Sequence, residues 1–303
     1  MNVKFKILAG LFFLNYLSAN VDFVIYSYDR PMQLYSLLES MYKYIQGGIG
    51  DLHVIYRVTN KEYDSAYADI TKDFPLVKYY KQGSKPQLDF KPLAMKCAFE
   101  SPNKYVSFVV DDIIVKDYFN LNRCIDFLEE TKAYCFLLRL GKNTRYCYTM
   151  QIESGLPRGM KKVDADVYSW VFEKGLGDWN FPSNNDMTIY RKDDIKEDLG
   201  SIDQIYFTNT FYEPYWCSKT NRKLKGLCFK SSKIVNICMN IVILEQPSHA
   251  QFSDNWSEKE MDNYSARTLL NKFKKGFKFD ISSLYQINNI SAHMEYKLGF
   301  VLR

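Results

Sequence analysis

Two adjacent carboxylates, Asp111 and Asp112, close the apolar stretch YVSFVV that begins at Tyr105. Like charges side by side repel and resist leaving water, so the pair makes chemical sense if a cation offsets both. Magnesium and manganese favour oxygen ligands and commonly share them with substrate phosphates, which makes Mn2+ or Mg2+ the expected ion. A second polar group, Ser27, Asp29 and Arg30, lies at and just after the end of the run VDFVIYSY, and Arg57 ends the run LHVIYR. Asp29 precedes Pro31, so it reads either as a helix cap or as a ligand contact. Farther along, Trp170, Trp179 and Phe181 alternate with Asp178 and Asp186 around glycine and proline breaks. Aromatic faces pack on sugar rings while carboxylates take hydroxyl groups, so at least one of the two tryptophans is expected to line a pocket. Core packing is the competing reading in a chain with 16% aromatic residues.

These groups need strands and helices to place them. From Val21 the chain alternates short apolar runs with amphipathic ones: VDFVIYSY, then a helix through Leu34, Leu37, Leu38, Met41 and Ile45, then LHVIYRV, a helix over YDSAYADI, and LVKYYK. A further helix over Leu93 to Phe99 leads into the strand Val106 to Val110. Alternation of this kind predicts a mainly parallel sheet with helices on its faces. Ligands then sit outside the carboxyl ends of the strands, where Asp111 and Asp112 emerge.

Composition narrows the class. With 303 residues, 47% of them hydrophobic and 25% charged, the chain can bury a large core. The net charge of +5 is spread along the sequence without a dense basic block, which argues against dedicated nucleic-acid binding. Seven cysteines, with no Cys-x-x-Cys pair, argue against a zinc site or a disulfide framework. Residues 1–20 combine Lys4 and Lys6 with an apolar run and Ser18-Ala19, the order of a signal peptide or membrane-targeting segment. Cytoplasmic, membrane-associated and secretory locations all stay open. Lysines 272, 274, 275 and 278 lie among phenylalanines, which suits either a solvated helix face or peripheral contact with an anionic membrane.

The segments VIYSYDRP, LHVIYR and FVVDDIIV together resemble the nucleotide-sugar-binding half of a GT-A glycosyltransferase, over residues 21–120 and more weakly beyond. The resemblance implies an α/β fold, a GT-A-like (Rossmann-like), mainly parallel sheet flanked by helices, with a mixed acceptor-side half over 121–303. One domain would span 21–303. Where the family carries its first motif carboxylate this chain has Val110, leaving Asp111 and Asp112. By resemblance Asp112 is the direct metal ligand, Asp111 binds ribose or the ion, and His293 is a third metal ligand. Ser27, Asp29, Arg30 and Arg57 would contact the nucleotide of a UDP- or GDP-linked donor. An inverting transfer needs a carboxylate base, for which Asp186 is expected and Asp178 competes; a retaining one does not need it. The acceptor, whether glycan, lipid or protein, stays open. Two other readings stand: a nucleotidyltransferase, against which SYDRPMQ lacks the glycine-rich phosphate loop, and a non-catalytic descendant that no longer holds metal.

Overall fold

The structure, a computed structural model, describes residues 20–207, 212–243, 246–249 and 257–303. All but the last residue of the expected leader therefore lies outside the described residues. Among the described residues no helix is long and apolar enough to cross a membrane.

The first half follows the alternation read from the sequence: β1 (Val21–Tyr28), α1 (Pro31–Tyr44), β2 (Ile49–Arg57), α2 (Lys61–Asp73), β3 (Lys78–Lys81), α3 (Pro86–Phe99) and β4 (Tyr105–Val110). The second half adds α4 (Leu121–Thr131), β5 (Cys135–Leu137), β6 (Lys161–Lys162), β7 (Val167–Val171), β8 (Asp186–Arg191), α5 (Lys192–Gly200), α6 (Tyr212–Lys219) and β9 (Lys225–Phe229). Among the described residues these strands form one nine-stranded sheet in the order β6-β7-β9-β5-β8-β4-β1-β2-β3. Strands β3, β2, β1 and β4 are mutually parallel, as the crossover helices require. Strand β8 is antiparallel to both β4 and β5, so the second half is mixed, as expected.

The two faces of β1 show why its sequence is almost wholly apolar. Val21, Phe23 and Ile25 pack into one core with α1, α2 and α4, while Val24 and Tyr26 pack into a second with α3, α5 and α6. A period of two therefore feeds both cores, and every position of the strand before Tyr28 is buried. Phe108 of β4, 1% exposed, and its neighbours do the same, each such side chain contributing about 1.5–3 kcal/mol of burial.

A smaller sheet pairs Ile113–Val115 with Ile234–Ile237, and that strand with His293–Met294. It folds the C-terminal part back over the carboxyl end of β4. The lysine-rich tail is tied to the protein: Lys272 lies 4.3 Å from the centre of the Phe300 ring, Lys274 is 3.5 Å from Glu62, and Lys278 pairs with Glu39. Its helix ends before Gly276, whose φ of +87° suits a residue without a Cβ.

Candidate active site

The acidic pair is met by a cation from the protein itself. Asp111 and Asp112 leave β4 beside the loop after β1, and the Arg30 guanidinium forks between them, with Nη1 2.8 Å from Asp111 Oδ1 and Nη2 2.8 Å from Asp112 Oδ2. Asn240 anchors the fork from the far side, taking bonds from Arg30 Nε at 3.1 Å and, on its carbonyl, from Nη2 at 2.7 Å. Ser27 donates to Asp111 Oδ2 at 2.7 Å and shares a 2.5 Å bond with the Tyr67 hydroxyl. Burial raises the Asp111 carboxyl to about 6, even against the pull of Arg30.

Asp29 does not cap α1. Its backbone is left-handed at φ 52°, and its carboxylate accepts from the Thr59 N–H at 2.9 Å and the Thr59 hydroxyl at 2.7 Å, while α1 begins without a side-chain cap. The loop after β1 is thus pinned to the end of β2. Arg57 lies over the Tyr28 ring at 4.9 Å, and its Nη1 is buried with no hydrogen-bond partner among the described residues. Ser27, Asp29, Arg30, Arg57, Asp111 and Asp112 therefore all stand at the carboxyl ends of three adjacent parallel strands.

A second charged group lies across β4. Asp186 opens β8 opposite Val109, and a bulge follows it: Thr188 pairs with Phe108, and Met187 between them has φ 53°. The turn before β8 is held by Asn184, whose Oδ1 accepts from the Asp186 N–H at 3.1 Å and from the Thr188 hydroxyl at 2.8 Å. Asn184 thus supplies the side-chain turn that opens β8. The Asp186 carboxylate faces a cavity of about 280 Å³ lined by Arg139, Asp178, Phe181, Glu213 and His293. Arg139, just beyond β5, gives one nitrogen to two acids: Nη1 is 2.9 Å from Asp178 and 2.9 Å from Asp186. Asp178 is carried by a tight turn at Gly177, where φ is +55° and a Cβ would lie 2.7 Å from Cys147 Cβ. Only glycine fits that approach.

Glu213, on α6, takes the Asn185 N–H at 3.0 Å and has no share of Arg139's hydrogen bonds. Burial first, and then the neighbouring Asp186 charge, push its carboxyl up to about 8. Sequence reasoning reached Asp178 and Asp186 but missed Arg139, Glu213 and Asn240. For Arg139 a signal existed: a charge inside the apolar run CFLLRL is the same anomaly as Asp111 at the end of YVSFVV.

The two tryptophans are core, correcting the expectation that one lines a pocket. Trp170 and Trp179 are 2% and 1% exposed and meet edge to face at 4.8 Å. Their indoles are satisfied internally, Trp170 on the Trp179 carbonyl and Trp179 on the Thr144 carbonyl. Phe181 is the aromatic residue of that segment that reaches the cavity.

The expected metal ligands do not converge as a metal site. Asp111 has both oxygens engaged, Asp112 keeps Oδ1, and His293 directs Nε2 toward Asp186 at 3.7 Å. Among the described residues no three His, Cys, Asp or Glu side chains are grouped so as to hold an ion. Hard divalent cations need several oxygen ligands, and with Arg30 in place the pair leaves Asp112 Oδ1 alone, so the described side chains do not by themselves fit one.

No family model matches the chain. In sequence it is similar to the bifunctional glycosyltransferase pgtA of Dictyostelium discoideum, 26% identical over an alignment of 203 residues that covers 61% of this chain and 26% of that protein. The chain thus spans about a quarter of that relative's length. That relative is a glycosyltransferase, the class the strand-end residues resemble. In structure the chain is similar to Staphylococcus aureus TarS 1-349 in complex with UDP, at a TM-score of 0.43 and 14% identity over 84% of this chain and 72% of that one. It is similar also to the mannosyltransferase PcManGT of Pyrobaculum calidifontis in complex with GDP-Man and Mn2+, at a TM-score of 0.38 and 10% identity over 68% and 53% of the two chains.

Proposed function

We infer that this chain transfers a sugar from a nucleoside diphosphate donor to an acceptor hydroxyl. The observation that carries the reading is the juxtaposition, at one end of the sheet, of the Ser27–Arg30 loop and the Asp111–Asp112 pair with a cavity lined by three acids. β4 joins the two groups, since Asp186 pairs opposite Val109. The sequence likeness to a glycosyltransferase supports the same class.

In the proposed reaction the nucleotide lies over the loop after β1, near Asp29 and Arg57, and the sugar faces the cavity. The acceptor oxygen bonds to the anomeric carbon as the bond from that carbon to the β-phosphate oxygen breaks. The nucleoside diphosphate leaves with the bonding pair, and a cavity carboxylate takes the acceptor's proton. Of the three acids, Glu213 suits that role best. Asp178 and Asp186 are both engaged in ion pairs with Arg139, whereas Glu213 has no bond from it and is pushed up to about 8, which matches a proton in flight near neutral pH. Asp186 then acts as the neighbouring charge that keeps Glu213 basic.

The test is a panel of UDP- and GDP-linked sugars, scored first by thermal shift and then by release of nucleoside diphosphate with sugar acceptors. A selective shift and acceptor-dependent release are the expected results. Binding without release would favour the non-catalytic reading, and loss of both would overturn the assignment.

A further inference from the structure

We propose that Arg30 is the resident cation of the acidic pair, so that Asp111 and Asp112 take no divalent metal while the first loop is in place. The proposal concerns the pair itself and holds whichever donor the cavity accepts.

The hydrogen-bond geometry leads to this assignment. A guanidinium has five N–H donors, and here at least four contacts are made to Asp111, Asp112 and two oxygens of Asn240. The two carboxylate bonds, each 2.8 Å, are of charge-assisted length. The Arg30 side chain is only 12% exposed, and those of Asp111 and Asp112 are 3% and 14% exposed, so water screens the cluster weakly. For a metal to be held by both carboxylates, it must displace this fork and leave a buried guanidinium facing Asn240. That exchange strips one cation of its partners in order to seat another. Ser27 compounds the difficulty, because its hydroxyl already holds the second oxygen of Asp111.

Asn240 adds a second function to the fork. It belongs to the segment after Ile234–Ile237, while Arg30 opens α1. The fork therefore joins the first loop, the end of β4 and the C-terminal part of the chain around a single charge.

Manganese uptake, followed from the electron paramagnetic resonance signal of the free ion, tests the assignment without any nucleotide. The wild type should take up none at Asp112. Arg30→Ala, with circular dichroism confirming its fold, should gain a manganese site at least about tenfold tighter, because two carboxylates lose their counter-charge. Adding Asp112→Asn to that variant should abolish the gain. Arg30→Gln, which is shorter and uncharged but keeps a polar side chain with two N–H donors, serves if the alanine variant fails to fold. Wild-type uptake that Asp112→Asn removes, or no gain in a folded Arg30 variant, overturns the proposal. In a second arm, UDP and GDP thermal shifts should be equal in EDTA and in manganese. A shift that requires manganese and vanishes in Asp112→Asn also overturns it. If neither nucleotide shifts the protein in either condition, the nucleotide-sugar reading fails, and the manganese arm still decides the role of Arg30.

Discussion

Arg139 Nη1 lies 2.9 Å from the Asp186 carboxylate, with the arginine side chain 2% exposed and the aspartate 10% exposed. The same nitrogen serves Asp178, so one buried cation holds together a turn from before β8 and the start of β8 itself. Glu213 stands beside this ion cluster without a bond from the arginine, and the unequal sharing sets the chemistry of the cavity.

Arg139→Met should be among the more damaging single substitutions. It removes the counter-charge from two largely buried carboxylates, a loss of about 3–5 kcal/mol in urea unfolding. Adding Asp178→Asn and Asp186→Asn to the methionine variant should restore part of the stability, since the orphaned charges are gone. An Arg139→Met protein as stable as wild type would remove the ion cluster from the account of the fold.

Glu213 should make stability fall as pH rises. Its folded pKa, about 8, lies above its ordinary value of 4.5, so between those values the native state binds a proton that the unfolded chain has released. The contribution is fully present below 4.5 and is lost as pH rises through about 8. Urea midpoints across that window should show the decline, and Glu213→Gln should flatten it. Asp111, raised to about 6, adds a decline of the same sign at lower pH that survives in the glutamine variant.

In turnover the same residue should show the opposite limb. A base must be ionised to act, so kcat/KM should rise with pH toward about 8. Glu213→Gln should lose about 10²-fold or more in kcat and lose the limb with it. A pH profile unchanged in shape would return the base role to Asp186 or Asp178.

Asp29→Ala and Asp29→Asn should separate backbone strain from nucleotide contact. Alanine loses both Thr59 bonds and must still adopt φ 52°, a cost of about 1–3 kcal/mol. Asparagine tolerates that region and keeps an acceptor for Thr59, so its melting temperature should stay near wild type. If the asparagine variant also binds UDP or GDP like wild type, the Asp29 charge has no part in nucleotide binding.

Gly177→Ala should act on the cavity through the backbone. The added Cβ meets Cys147 Cβ at 2.7 Å and Sγ at 2.9 Å, at a φ that disfavours alanine. The turn must move, carrying Asp178 away from Arg139, and stability should fall by about 1–3 kcal/mol. Cys147→Ala removes the Sγ contact and should recover part of the loss.

Much of the architecture was legible along the chain because it obeys local rules. A strand buried on both faces must be apolar wherever no internal polar partner is at hand, and VDFVIYSY and YVSFVV nearly are, with buried Asp22 paired to Lys192 and Ser27 bonded to Asp111. A proline at the first turn announces α1, and the acids that end β4 had to lie where parallel strands place ligands. What each charge meets could not be read the same way. Arg30 is 81 residues from Asp111 and 210 from Asn240, and nothing in the spacing of any one segment selects those partners. Asp178, Asp186 and Glu213 converge on Arg139's cavity only because β8 runs antiparallel between β4 and β5, bringing its first residue to the end where theirs finish. The tryptophans show the same division. Their composition suited a sugar pocket, but edge-to-face packing and internal indole bonds put them in the core. Periodicity is set by how one segment shields its own backbone from water, so the sequence carries it directly. Charge pairing is set by which strand ends become neighbours, and only the order of the folded sheet decides that.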